Sequence, residues 1–300
     1  MGLNVSMGYN SKAEWIAETN FAEGADTSMD GVTVKSFGKI KSIELSSSEE
    51  REDVYTVESQ TRTNDPIINE IHELTISTYW QVAANNTVYE FLSDALSDQK
   101  SYCIKLTSKP DGSTPEYLYL EGCTLTGFSI NSNTGSSVEV ELNIRVAEIY
   151  NDDYVAASPA TTPEVSATTS TVDPSVYHDL TITFPANLLA IASNLQEFSF
   201  DVNFNNIEIK NYTTKGIVGN PQGAHEISFS FSAYGDGTSQ GVGGLLSKLL
   251  GDGSGDITWS DGTYTFTFTG CSYDSINTPI NEKELIVLEG EGKANSIALA

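Results

Sequence analysis
The clearest signal in the chain is alternation with a period of two. Within 137–146, Val138, Val140, Leu142 and Ile144 point one way and Glu139, Glu141, Asn143 and Arg145 the other; within 197–204, Phe198, Phe200, Val202 and Phe204 oppose Ser199, Asp201 and Asn203. Successive side chains leave opposite faces of an extended strand, so each segment is predicted to be a strand with one face packed and one in water. Elsewhere the period changes. Val88, Phe91, Leu92, Ala95 and Leu96 recur at helical spacing, as do Val242, Leu245, Leu246, Leu249 and Leu250, and each set predicts a short amphipathic helix. Thr87 and Glu90 have capping-box spacing at the start of the first, and Gly251 stands where a left-handed residue would end the second. The remaining apolar runs are short, rich in Val, Ile, Phe, Tyr and Thr, and separated by Gly, Asn, Asp and Ser, which is the pattern of mainly β structure.

These elements recur in the same order. HELTISTYW from His72 is matched by HEISFSFSA from His225, an offset of 153 residues, and the two helical stripes follow at 154. A strand and an Asp-Gly turn come next, Asp111-Gly112 against Asp261-Gly262, and then Gly122-Cys123 against Gly270-Cys271 at an offset of 148. Small drifts in offset are what loop insertions do to a duplicated unit. Upstream, Ile43-Glu44-Leu45 is paired with Ile207-Glu208-Ile209, each followed by a long polar segment expected to be a loop with a task. An Ala/Thr/Ser/Pro-rich linker is expected within 151–177, dividing a domain at 1–150 from a second at 178–300. With one helix per copy, the economical fold is two tandem β-sandwiches or half-barrels, each flanked by its helix.

Charge sharpens this picture. Among 300 residues, 41 Asp and Glu face 15 Lys and Arg, a formal net charge of −26. Phosphate affinity needs clustered cations, so free nucleic-acid binding is disfavoured. The acid fits a salt-loving host, an archaeal one included, where screening suppresses self-repulsion, and equally a surface that nucleic acid must pass without sticking. Cys103, Cys123 and Cys271 form no CxxC pair and are expected to be reduced and buried. No apolar stretch is long enough to cross a bilayer, and the start has neither a basic region nor an apolar signal core, so a soluble, cytoplasmically made chain is expected. No catalytic, cofactor-binding or metal-binding residues are assigned. His72 and His225 fall in different halves without an HExxH, GDGSGD at 251–256 reads as a connecting turn, and no nucleophile motif or phosphate loop occurs.

The ordered pattern of strand, long loop, alternating strand, amphipathic helix, Asp-Gly turn, Gly-Cys strand and acidic alternating strand resembles the tail tube proteins of long-tailed viruses, once per half. The resemblance implies a structural subunit of the virion tail, made in the host cytoplasm, that stacks in six-fold rings around a β-barrel conducting DNA. Two units per chain imply a homotrimeric, pseudo-hexameric ring. It further implies a lumen lined by Glu139, Glu141, Asn143, Asp201 and Asn203, and ring-to-ring contacts through Glu49, Glu50, Arg51, Asp53, Lys210, Tyr212 and Lys215. Phe91, Leu92, Leu96, Leu245, Leu246 and Leu249 would pack the helices. Implied partners are further copies of the chain, a tape-measure protein, a tail terminator and tail tip proteins, with DNA passing unbound and no membrane. The alternatives are a secreted two-domain adhesin or carbohydrate-binding sandwich, and a tail completion or distal tail protein that does not polymerise.

Overall fold
The computed structural model describes residues 12–22, 33–51, 54–56, 59–64, 67–81, 87–98, 100–108, 116–151, 173–185, 194–210, 216–234, 255–277 and 287–300. The first half contains β1 (Lys12–Ala17), β2 (Lys35–Ser36), β3 (Ile40–Arg51), β4 (Val54–Thr56), β5 (Ser59–Asn64), β6 (Ile67–Tyr79), helix α1 (Thr87–Asp98), β7 (Tyr102–Ser108), β8 (Glu116–Asn133), β9 (Glu139–Val146) and β10 (Glu148–Asn151). The second contains β11 (Thr181–Thr183), β12 (Leu195–Asn203), β13 (Glu226–Tyr234), β14 (Gly255–Ser260), β15 (Thr265–Asn277), β16 (Val287–Ala294) and β17 (Ser296–Leu299). The fold is mainly β, and every pairing among the described strands is antiparallel. No described helix is long and apolar enough to cross a membrane.

Eight strands drawn from both halves form the main sheet, in the order β3-β6-β9-β8-β12-β13-β16-β15. Two smaller leaves branch from it: β2-β1-β7-β8-β10 and β11-β14-β15-β17. The long strands β8 and β15 serve a leaf with their first part and the main sheet with their last. Each changes direction at a glycine in the left-handed region, Gly122 at φ 61° and Gly270 at φ 66°. The positive φ disfavours a side chain at both corners, and at the first a Cβ would also lie 2.6 Å from Ala147 Cβ.

Apolar faces of the sheet and leaves meet in one core. A single cluster of buried side chains contains Trp15, Leu74, Ile76, Phe91, Leu142 and Phe128 of the first half with Phe198, Phe200, Phe229, Phe231, Trp259 and Phe266 of the second. The α1 stripe behaves as its spacing predicts: Val88, Phe91, Leu92 and Ala95 are buried, and Leu96 is half-buried against the core. Phe91 packs edge-on against Trp15 at 5.2 Å and Phe37 at 5.0 Å. The capping-box residues are turned to β2, with Thr87 Oγ1 donating to the Ser36 carbonyl and Glu90 paired with Lys35 at 2.9 Å.

Apart from β1–β2 and β4–β5, which have no counterpart among the described strands, the pairings of the second half repeat those of the first. The bulge between Leu125 and Gly127 on β8 recurs between Tyr273 and Ser275 on β15, both 148 residues on. The bulge between Ile40 and Ser42 on β3 recurs between Leu195 and Glu197 on β12, both 155 residues on. Hydrogen bonds follow: Ala147 N to Glu121 O and Asn295 N to Thr269 O are both 3.0 Å, and Tyr79 N to Lys39 O is matched by Tyr234 N to Asn194 O. This corrects two alignments read from the sequence. Leu74 and Ile76 occupy the places of Phe229 and Phe231, so the matching His-Glu pairs are two residues out of register. Ile43 and Leu45 correspond to Phe198 and Phe200, whereas Ile207 and Ile209 lie beyond β12 and are 60% and 48% exposed. Volume is exchanged across the fold: Ile76 faces Leu142 and Leu74 faces Ile144, while Phe231 faces Gly290 and Phe229 faces Gly292. Larger rings in one strand are accommodated by glycine in the next.

Candidate functional site
With its other face in the core, the main sheet presents a polar face to solvent. One row across it reads Ser42, Ser77, Glu141, Ser129, Asp201, Ser228, Lys293. The neighbouring row reads Glu44, Thr75, Asn143, Gly127, Asn203, Glu226, and on the other side lie Tyr79, Glu139, Asn131, Ser199, Ser230, Glu291. Glu139, Glu141, Asn143, Asp201 and Asn203, singled out by alternation, therefore share one continuous face. Ser129, Asn131, Ser228 and Ser230 complete it. The same alternation in GFSIN and SFSFS carried that signal.

The face is hydroxyl-rich and acidic. Ser199 Oγ lies 2.7 Å from Ser230 Oγ, and Thr75 Oγ1 donates to Asn143 Oδ1 at 3.2 Å. Lys41 Nζ donates to both oxygens of Glu139 at 2.7 and 2.8 Å. The Asp201 pKa is raised from its ordinary value, first by partial burial and then by the charge of Glu141 two strands away. A shallow depression on this face is lined by Ser129, Asn131, Ser199, Asp201, Ser228 and Ser230.

Side chains beyond β12 lock the halves together. Arg145 is buried under Glu208, with Nε 2.8 Å from Oε1, and Asn220 Nδ2 donates to Thr124 Oγ1 at 2.6 Å. Gln222 Nε2 donates to the Ala95 carbonyl of α1 at 2.8 Å. At the far side of the joint Trp80 Nε1 donates to buried Asp261 Oδ2 at 2.7 Å, while Trp80 meets Trp259 edge-on at 5.4 Å and Tyr89 stacks on Tyr264 at 3.9 Å. Asp261 was legible only as a turn residue, which it also is: its Oδ1 accepts from the Thr263 and Tyr264 amides, and Gly262 follows at φ 86°. Ser175, expected in the linker, is buried and bridges the two strand ends, its amide on Trp80 O and its carbonyl on Val138 N.

The expected loop residues are distributed otherwise. Glu49 and Glu50 are exposed on β3, which runs on to Arg51 paired with β6, so 46–51 is strand and not loop. Lys210 pairs with Glu208 at 3.2 Å. Asp53, Tyr212 and Lys215 lie outside the described residues, as do Leu245, Leu246 and Leu249.

The three cysteine thiols are buried. Burial pushes the Cys123 thiol well above its ordinary value and that of Cys271 to about 11, and the two donate to the Leu120 and Phe268 carbonyls at 3.3 and 3.4 Å. Burial lowers both His72, whose Nδ1 is 2.7 Å from Ser47 Oγ, and His225, whose Nε2 is 3.1 Å from Gln222 Oε1. Asp256, from the GDGSGD segment, accepts from the Gly270 amide at 3.1 Å. Among the described residues no three His, Cys, Asp or Glu side chains converge as metal ligands would.

No protein-family model and no curated protein matches the chain. Among solved structures it is similar to the SPP1 tail tube, with a TM-score of 0.36 and 11% identity over 48% of this chain and 77% of that one. It is similar likewise to a chain of the anti-feeding prophage baseplate, again at 0.36 and 11%, over 48% of this chain and 93% of that one.

Proposed function
We propose that the chain is the structural subunit of a viral tail tube, three chains to a ring, with rings stacked around a lumen through which DNA passes. The observation that carries this reading is the main sheet: strands of both halves share one apolar face turned to the core and one exposed acidic, hydroxyl-rich face. An open sheet of this size has strand edges that template pairing with another chain. Bending such sheets edge to edge into a barrel removes the edges and encloses the polar face. Carboxylates such as Glu141, Asp201 and Glu291 on that inner wall would repel phosphate, so the polymer could slide without being held.

The role is structural and not enzymatic. Its partners are copies of itself, with tape-measure, terminator and tip proteins at the lumen and ends, and its place is the virion tail after synthesis in the host cytoplasm. Closing a ring of chains that each carry −26 charges brings like charges together, so assembly should strengthen with salt. The test is electron microscopy of purified protein at low and at molar salt. Tubes with a regular ring repeat are expected. Single rings that never stack would instead indicate a tail completion or distal tail protein, and dispersed monomers that bind glycans an adhesin.

A further inference from the structure
We propose that successive chains join by pairing the last residues of β15 with β3 of the next copy, in the register Ser275 to Ser48, Ile276 to Ser47 and Asn277 to Ser46. The inference rests on the ring reading above and deepens it by specifying the joint. Within the chain, β8 meets β12 in antiparallel register, Gly127 facing Asn203, Phe128 facing Val202 and Ser129 facing Asp201. The repeated bulges place β15 on β8 with an offset of 148 and β3 on β12 with an offset of 155. The two strands that make the internal joint therefore have counterparts elsewhere in the same molecule. Among the described strands, those counterparts each lack a neighbour on the corresponding side: 272–277 of β15 pairs with β16 alone, and β3 with β6 alone. Carrying the internal register through the two offsets gives the pairs above.

The surroundings of the joint agree. Arg145, next to the internal joint, is covered by Glu208 from the segment that follows β12. Its counterpart Lys293 has a side chain 72% exposed, 4.0 Å from Asp274, as a position would whose cover comes from another copy. Ser46 and Ser48 of β3 and Ser275 and Asn277 of β15 are all exposed. One difference is local: Gly127, where a Cβ would lie 2.7 Å from Val202 O, is replaced by Ser275, so the joint between copies requires the strands to lie further apart at that end. The joint is head-to-tail, so repetition closes a ring or runs on as a filament.

Cysteine cross-linking tests the register. Phe204 N donates to Thr126 O at 2.9 Å, so Ser129 and Asp201, three positions along, form a non-hydrogen-bonded pair, with Cα atoms about 4.5 Å apart. That spacing suits a disulfide. Ser129→Cys with Asp201→Cys should cross-link within one chain and reports that the main sheet is folded. Ser46→Cys with Asn277→Cys should cross-link between chains and yield covalent trimers on a non-reducing gel, while Ser46→Cys with Ser275→Cys, two residues out of register, should remain largely monomeric. The proposal is overturned if the internal control links but the 46/277 pair stays monomeric, or links no better than 46/275. Tubes seen by microscopy without the 46/277 link would refute the joint and keep the tube. Linked rings that never stack would refute the tube and keep the joint.

Discussion

Replacing Asp261 by Ala should be among the most damaging single changes in the protein. The carboxylate is 5% exposed and accepts three hydrogen bonds: Trp80 Nε1 at 2.7 Å, Thr263 N at 2.8 Å and Tyr264 N at 2.7 Å. Bonds to a charged acceptor contribute about 1.5–3 kcal/mol each, and an orphaned buried donor costs about 1–3 kcal/mol. The two turn amides can in part find water or each other's place in a relaxed loop. The Trp80 indole cannot, because its ring is fully buried and held by Trp259 at 5.4 Å and Phe266 at 5.6 Å. A loss of about 3–5 kcal/mol follows, near the upper end for point substitutions. The assay is urea unfolding at protein concentrations below assembly, with Trp80→Phe and the double variant completing a cycle. A coupling of about 1.5–3 kcal/mol is expected between the two positions, since Phe keeps an aromatic ring, though a smaller one, and removes the donor. If Asp261→Ala costs under about 0.5 kcal/mol, or the two changes simply add, the claim that this bond ties the halves together is wrong.

Three further outcomes follow from particular contacts. Gly290→Leu should destabilise by about 1–3 kcal/mol through overpacking, since even a Cβ there would lie 2.4 Å from Phe231 Cζ; adding Phe231→Ile recreates the Ile76 and Leu142 pairing of the first half and should recover much of the loss in thermal melts. Asp201, whose raised pKa means that the folded state binds its proton more tightly than the unfolded chain, favours folding most below the ordinary value of 3.8 and loses that contribution as pH rises through the folded value. Asp201→Asn should therefore be the more stable protein at pH 7, with the advantage vanishing as pH falls below 3.8, and an advantage that grows on acidification would contradict the assignment. Cys271, its thiol pushed up to about 11 by burial, should resist alkylation in native protein at pH 8 and react at the rate of unfolding; rapid native labelling would refute its burial.

Alternation made the polar sheet face legible, because Glu139 to Arg145 and Phe198 to Phe204 each have one face that must be buried. The helical stripe of α1 was legible for the same reason. The continuation of β3 was not: Ser46, Ser48, Glu49 and Glu50 are exposed, so no period appears, and the strand exists because β6 supplies backbone partners from Ile67 onward. Matching residue identities also misplaced the register of the repeat by two. Identity at His72 and His225 was fortuitous, whereas the structural equivalence of Ile76 with Phe231 is hidden by a change in size that Gly290 compensates one strand away. Asp261 and Arg145 owe their importance to Trp80 and Glu208, which lie far off in sequence and are neighbours only after folding.

Because β8 and β12 meet inside a single polypeptide, that seam is sealed at any protein concentration. If chains associate as proposed, dilution can part only the contacts between them, so a preparation thinned past its association threshold should release single chains with the eight-stranded main sheet intact. Mass photometry across a dilution series would then show one smallest species, and heat or denaturant, rather than dilution, would be needed to open it further.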